Sequence, residues 1–386
     1  MSLLRYPIHV LLTGATGYIG GSTLSALLAR EDYKDGRVKI TCLVRGGLGD
    51  RAALIERLGV DVTVLVGDLA DWELLRAAAA EADGLRRRGA PVVIDTANAD
   101  FPRGARAMLA GLRQRYERTG TRSVFIHSSG TGALTDNAQG KFADQKIYDD
   151  LDCTAIRAIP TTYVHRETDE LISQASVEGY VRGYVVMPPL VYGRGTGPCS
   201  RTSVQIPALI RAALTLGQAV HVGSGLSMWN GVHVNDLVSL FMVLLDDALS
   251  AAGPKAPTGL DCYYFCATDT YSWKQLAGEL GKRLYAKGAL PTPEPRALRP
   301  DEERVVLGEW SGFAYGSNSR SRAGKAYTLG WVPKHGTRPT NADANADGLF
   351  DSIDAEYEAV LEEGRDVAPK VHSDEMNVAL GTTTYP

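Results

Sequence analysis

The sequence predicts an α/β protein, a doubly wound parallel sheet followed by a smaller C-terminal lobe. Three observations carry this. Short apolar runs rich in strand formers recur through the first half of the chain, and stretches with helical spacing lie between most of them. The runs are continuous rather than alternating, as expected of strands buried on both faces. The first run passes through a glycine-rich turn directly into a helix, the opening unit of such a sheet.

In chain order, the first strand is IHVLL from Ile8, followed by TGATGYIGG and the helical STLSALLAR. Further strands are VKITCLV (38–44), VTVLVG (62–67), PVVIDTA (91–97), SVFIHSS (123–129) and GYVVMPP (183–189). Helices DWELLRAAAAEA (71–82) and RGARAMLAGLRQRYERTG (103–120) fall between them. Past about residue 190 the rhythm loosens into QIPALIRAALTLG (205–217), VHVNDLVSLFMVLLDDAL (232–249), a strand-like CYYFCA (262–267) and SWKQLAGELGKRLYAKG (272–288). The expected division is a nucleotide-binding core over 1–190, joined by some later segments, a substrate lobe over 191–340, and a C-terminal helix and tail over 341–386.

The 386 residues are 44% hydrophobic, ample for a core. Lys and Arg number 41 against 45 Asp and Glu, a net charge of -4, so no global basic field recruits nucleic acid or a membrane surface. A small-molecule partner is expected, and an oligomer is compatible with the composition. The five cysteines (Cys42, Cys153, Cys199, Cys262, Cys266) are scattered without zinc spacing, which fits a reducing compartment and no metal site. The first apolar run is too short for a signal segment and no run approaches a membrane span, so a cytoplasmic, soluble protein is expected.

Gly14, Gly17 and Gly20 form G-x-x-G-x-x-G between strand and helix. The first glycine turns the chain, the second admits a pyrophosphate, and the third lets helix and sheet pack; the phosphates then meet the helix N-terminal amides. Thr16, Tyr18 and Ile19 share this turn. The second strand ends at Arg45 rather than an acid, and an arginine attracts the 2′-phosphate that a carboxylate would repel, so NADP is favoured over NAD. Asp68 and Leu69 follow the third strand, and Thr96 and Ala97 end the fourth; all four are assigned to the cofactor.

Five ordered motifs resemble the extended, or atypical, short-chain dehydrogenases, the family that includes nucleotide-sugar epimerases, dehydratases and reductases. They are TGATGYIG (13–20), GDL (67–69), HSSGTG (127–132), PPLVYGRG (188–195) and VHVNDL (232–237), and the resemblance spans about residues 8–335. It implies a Rossmann core under a small substrate lobe, with a serine that polarises a carbonyl and a tyrosine that moves a proton beside hydride transfer. Ser129 matches that serine, with Ser128 or Thr131 as alternatives in register. The family's Tyr-x-x-x-Lys pair is missing, since no tyrosine in the chain is followed by lysine at the fourth position. The corresponding segment reads TTYVHRETDELI, where His165 and Asp169 have i, i+4 spacing and are expected to share one helix face with Ile172. A histidine exchanges protons near neutrality without a cationic neighbour, and an aspartate would orient its ring. Tyr163 as proton carrier, two residues out of register, is the competing reading.

Thr131, Tyr192, Trp229 and His233 fall in segments that line the substrate cleft of the resembling enzymes, against core packing for Tyr192 and Trp229 and a structural hydrogen bond for His233. His127 reads as a core histidine. DANADGLFDSID (343–354) has calcium-loop spacing but no entering helix, so a polar turn is preferred. Arg86 to Arg88 form too short a run for nucleic acid. Three functions stay open: an NADP-dependent oxidoreductase using Ser129, His165 and Asp169; a lyase or isomerase on the same fold; and an NADP redox-sensing binding protein.

Overall fold

The computed structural model describes residues 8–47, 50–81, 91–336 and 348–364. The arginine triplet, the first half of the calcium-like loop and the tail from about residue 366 lie outside the described residues. Seven strands form the main sheet: β1 (Ile8–Thr13), β2 (Val38–Val44), β3 (Val62–Val66), β4 (Pro91–Asp95), β5 (Ser123–Ser128), β6 (Val181–Met187) and, late in the chain, Tyr263–Phe265. All pairings are parallel, with β1 between β2 and β4, so Val10 faces both Ile40 and Val92. The chain runs outward from β1 to β3 and then returns to β4. Successive helices therefore cover opposite faces, and a crevice opens at the carboxyl ends of β1 and β4.

Helices α1 (Tyr18–Ala29) and, later, Val234–Ala248 pack together on one face. On the other, α2 (Trp72–Glu81) packs on α3 (Pro102–Thr119), which packs in turn on α4 (Arg166–Val177). The α2–α3 contact requires Gly111, where an added Cβ would sit 2.2 Å from the Arg76 carbonyl oxygen.

Two late segments return to this core. The CYYFCA run, assigned by its position to the C-terminal lobe, supplies the edge strand Tyr263–Phe265 beside β6. All three of its residues are buried, and an all-apolar strand needs cover on both faces, which only the main sheet gives it. The Val234–Ala248 helix likewise buries Leu237, Phe241 and Leu244 in the main core. The lobe itself has its own cluster around Ile206, Leu209, Trp273 and Leu280, and a three-stranded sheet in which Met228–His233 pairs with Leu190–Tyr192 and Asp269–Ser272. The C-terminal helix Ser352–Glu363 belongs to this second core through Ile353 and Val360. Asp351 and Asp354, which end the calcium-like spacing, are held by Arg283 at 2.8 and 2.6 Å.

Among the described residues no helix is long and apolar enough to cross a membrane, and no cluster of His, Cys, Asp or Glu could hold a metal ion. The five cysteines are unpaired.

Candidate active site

The glycine turn has no room for side chains where the sequence omits them. Gly14 has φ +75°, and a Cβ on Gly20 would stand 2.2 Å from the Gly14 carbonyl and 2.4 Å from Thr96 Oγ1. Thr96 ties β4 to β1 by donating its hydroxyl to the Thr13 carbonyl at 2.7 Å. The α1 N-terminus thus opens onto the β1/β4 crevice with Gly17 as its cap and no side chain across its first amides, a cradle suited to a pyrophosphate. The segment after Tyr192 lies over this turn: Tyr18 donates its hydroxyl to the Gly193 carbonyl at 2.5 Å, and Ser200 N bonds to the Thr16 carbonyl. Arg45 is exposed beyond the end of β2, and Asp68 accepts from Ala70 N at 3.0 Å in a tight turn.

A cleft of about 360 Å³ adjoins the turn, reached by Tyr18 and Ile19 on one side and by the lobe's Trp229 and Phe313 on the other. Ser129, Thr131 and His165 line it, as does Ala97. His165 is not inside a helix. It caps α4 with a left-handed backbone, φ 69° and ψ -24°, a conformation that costs a non-glycine residue about 1 kcal/mol or more. Asp100 holds it there by accepting from both the backbone N–H at 2.6 Å and ring Nδ1 at 2.9 Å. The far edge of the imidazole rests on glycines: a Cβ at Gly130 would lie 2.8 Å from Nε2, and one at Gly132 3.1 Å.

This geometry corrects the predicted His165/Asp169 pairing. Asp169 lies a turn further on, fully buried, and accepts from Arg166 Nη1 at 3.2 Å. Because His165 adopts the left-handed conformation at the cap, the i, i+4 face that spacing implies does not form between them. The acid on the ring comes instead from the loop after β4. Burial raises the Asp169 pKa, opposed by the nearby His127 and Arg166. Its Oδ1 and Ser129 Oγ are both buried without a hydrogen bond of good geometry, although the hydroxyl is close enough to favour the ionised acid.

Burial alone would lower the His165 pKa, but the Asp100 charge and hydrogen bond, helped by Asp169, outweigh it and raise the pKa above 6.5. The same pairing overcomes burial at Asp100 and lowers its pKa.

The other candidates divide. Tyr163 is 47% exposed and lines two depressions beside the cleft rather than the cleft itself. Tyr192 is buried, donates to Asp269 Oδ2 at 2.8 Å and is not among the residues that line the cleft. His233 also does not line the cleft: its Nδ1 accepts from Asn235 N and its ring stacks on His335 with centroids 3.7 Å apart. His127 bonds through Nδ1 to the buried Asp95 at 2.9 Å. Asp100 was missed by sequence reading, as were Gln205 and Phe313. The available signal for Asp100 was topological, an acid just past the strand next to β1 in a sheet that reverses there.

The family model for the NAD dependent epimerase/dehydratase family matches residues 10–256. An oxidase of Acremonium sp, Oxidase ucsJ, is 29% identical over 339 residues, covering 84% of this chain and 92% of that protein. The uncharacterized protein YLL056C of Saccharomyces cerevisiae is 26% identical over 332 residues, covering 85% and 95%. Among solved structures, vestitone reductase from alfalfa has a TM-score of 0.55 at 16% identity, over 92% of this chain and 99% of that one. The dTDP-glucose 4,6-dehydratase of Bacillus anthracis, solved with NAD, has a TM-score of 0.61 at 15% identity, over 92% and 98%. Such identities speak to the fold alone.

Proposed function

This chain belongs to the NAD dependent epimerase/dehydratase family, and from that premise we propose that it is an NADP-dependent reductase of a small-molecule ketone, working in reverse on the secondary alcohol. The family makes it an NAD(P)-dependent enzyme of the oxidoreductase or epimerase type. The reading of which enzyme rests on one observation, His165 held by Asp100 at the edge of the cleft.

The Gly14 to Gly20 turn and the α1 N-terminus would hold the pyrophosphate, and Arg45 would meet a 2′-phosphate. When bound, the nicotinamide supplies or accepts the hydride. With Nδ1–H committed to Asp100, Nε2 is the nitrogen left to exchange a proton with the reacting oxygen. Ser129 lines the same cleft, and its hydroxyl, which lies near Asp169 without a hydrogen bond of good geometry, would donate to that oxygen. Buried Asp169 lies behind Ser129 and Arg166 and supports the charge on His165 from below.

Direction follows from charge. A ketone reduced by hydride needs an acid for the developing alkoxide, and the Asp100 charge and hydrogen bond, which raise the His165 pKa, favour the protonated ring that would supply it.

Calorimetry on nucleotide-free protein with NADP⁺, NADPH, NAD⁺ and NADH is the first test, followed by turnover of His165→Ala with a ketone that the wild type reduces. Tight NADP(H) binding and a loss of about 10²-fold or more in kcat are expected. No nucleotide binding, or undiminished turnover, overturns the reading.

A further inference from the structure

The lobe side of the cleft is apolar. Val204, Trp229, Phe313 and Ala314 wall it, and Gln205 is tied by its amide to the Ala314 carbonyl at 3.0 Å. Among the described residues no lysine or arginine lines the cleft, and its carboxylate, Asp100, is engaged by His165. A nucleoside diphosphate sugar would bring two phosphate charges into this space with only one histidine to meet them. Burying such charge without cationic partners is strongly unfavourable.

Two polar atoms beside these walls are unpaired. Trp229 is 4% exposed and its indole Nε1 makes no hydrogen bond, and the same holds for the hydroxyl of Thr131, at 1% exposure. Both residues line the cleft. Both groups are donors that lie just under the cleft wall, where a small turn of either side chain would bring it to a neutral oxygen, and the Trp229 ring is held by Trp273, with centroids 5.7 Å apart.

We propose that the substrate is a neutral, ring-bearing ketone without phosphate, which lays its rings on Trp229 and Phe313 and carries a second oxygen for the Trp229 and Thr131 donors. The inference rests on the carbonyl-reductase reading and adds the substrate class to it.

Binding tests it separately from turnover. Protein saturated with NADP⁺ is titrated by calorimetry with 7-hydroxy-2-tetralone, a neutral bicyclic ketone with a second oxygen, and with UDP-glucose. The tetralone should bind at least about tenfold more tightly than UDP-glucose, and Trp229→Ala and Phe313→Ala should each weaken it by about tenfold. NADP⁺ affinity in each variant reports whether the fold and nucleotide site survive, and Phe313, only partly buried, serves where Trp229→Ala fails to fold.

UDP-glucose binding as tightly as the tetralone overturns the proposal, as does binding of neither. Tetralone affinity within about twofold of wild type in every folded variant also overturns it. A ketone that binds through Trp229 and Phe313 but never consumes NADPH leaves the substrate class standing and removes the reductase reading. NADPH consumed with a nucleotide sugar alone does the reverse.

Discussion

Replacing Asp100 with asparagine separates the pairing found from the pairing that spacing suggests. The amide oxygen can still accept from the His165 backbone N–H, now bonded to Oδ1 at 2.6 Å, so the cap and its left-handed backbone should survive. What is lost is the charge opposite ring Nδ1, where both groups are largely buried, with side-chain exposures of 19% for His165 and 12% for Asp100. A hydrogen bond to a charged partner contributes about 1.5–3 kcal/mol, which corresponds to roughly 10- to 150-fold in kcat/KM for ketone reduction at neutral pH. The pH dependence carries the sign. His165 acts as an acid, so wild-type reduction is full at low pH and declines as pH rises through a folded pKa above 6.5. Without the Asp100 charge the lowering effect of burial is left to dominate, and the decline moves to lower pH. Steady-state kcat/KM between pH 5 and 9, over a range in which circular dichroism shows the variant folded, reads both effects. Asp169→Asn should move the midpoint in the same direction by less, because Asp169 adds only a secondary charge contribution. An unmoved midpoint in Asp100→Asn, or a larger shift in Asp169→Asn, would refute the reasoning.

Gly20→Ala should abolish nucleotide binding and lower stability by about 1–3 kcal/mol, since the new methyl meets backbone at 2.2 Å; thermal melts with and without NADP⁺ test it. Arg45→Ala should weaken NADPH by about tenfold and leave NADH unchanged in calorimetry, the modest size reflecting an exposed guanidinium. Buried Glu356 accepts from Gly193 N and Ser203 Oγ with its pKa pushed up to about 7, burial being the main cause. Its folded pKa lies above the unfolded value, so its contribution is present below about pH 4.5 and lost as pH rises through about 7. Glu356→Gln should therefore gain on wild type across that window, by at most about 3 kcal/mol in denaturant melts at pH 5 and pH 8.

Where a residue's role follows from local backbone geometry or a continuous apolar pattern, the sequence was readable. The Gly14 to Gly20 turn, the order of the main strands and the Ser129 loop were legible because each depends on neighbours within a few positions. Tyr263–Phe265, placed with the lobe by its position in the chain, is one of the later segments that return to the core, as its unbroken apolar character already asked of a two-sided sheet. For Tyr192 and His233 the motif left cleft contact and a structural role open, because their partners, Asp269 and His335, lie 77 and 102 positions away and no local pattern announces them. Asp100 and His165 are 65 apart and meet only because the β4 loop and the α4 cap converge at the same end of the sheet.

On the proposed reading, a histidine in place of tyrosine and lysine is a change of position as well as of residue. A tyrosine in a helix needs a cation one turn on to bring its proton within reach of neutral pH. A histidine needs the opposite, an anion that keeps the proton on, and one turn along the helix would place that acid beneath Ser129 and beside Arg166, where Asp169 in fact lies. Asp100 approaches instead from the β4 loop, next to the glycine turn where the nucleotide would bind. Backbone and ring of His165 share this one carboxylate, so the strained cap and the raised pKa have a common origin. Substitution at 165 separates the two: His165→Asn, whose side chain favours that backbone, should keep the cap and lose the acid. His165→Ala should lose both. If the proton and the cap are coupled through Asp100 in this way, the asparagine variant will melt closer to wild type than the alanine variant while reducing ketone no faster. Equal melting of the two would mean that the left-handed backbone at 165 carries no strain that the side chain relieves.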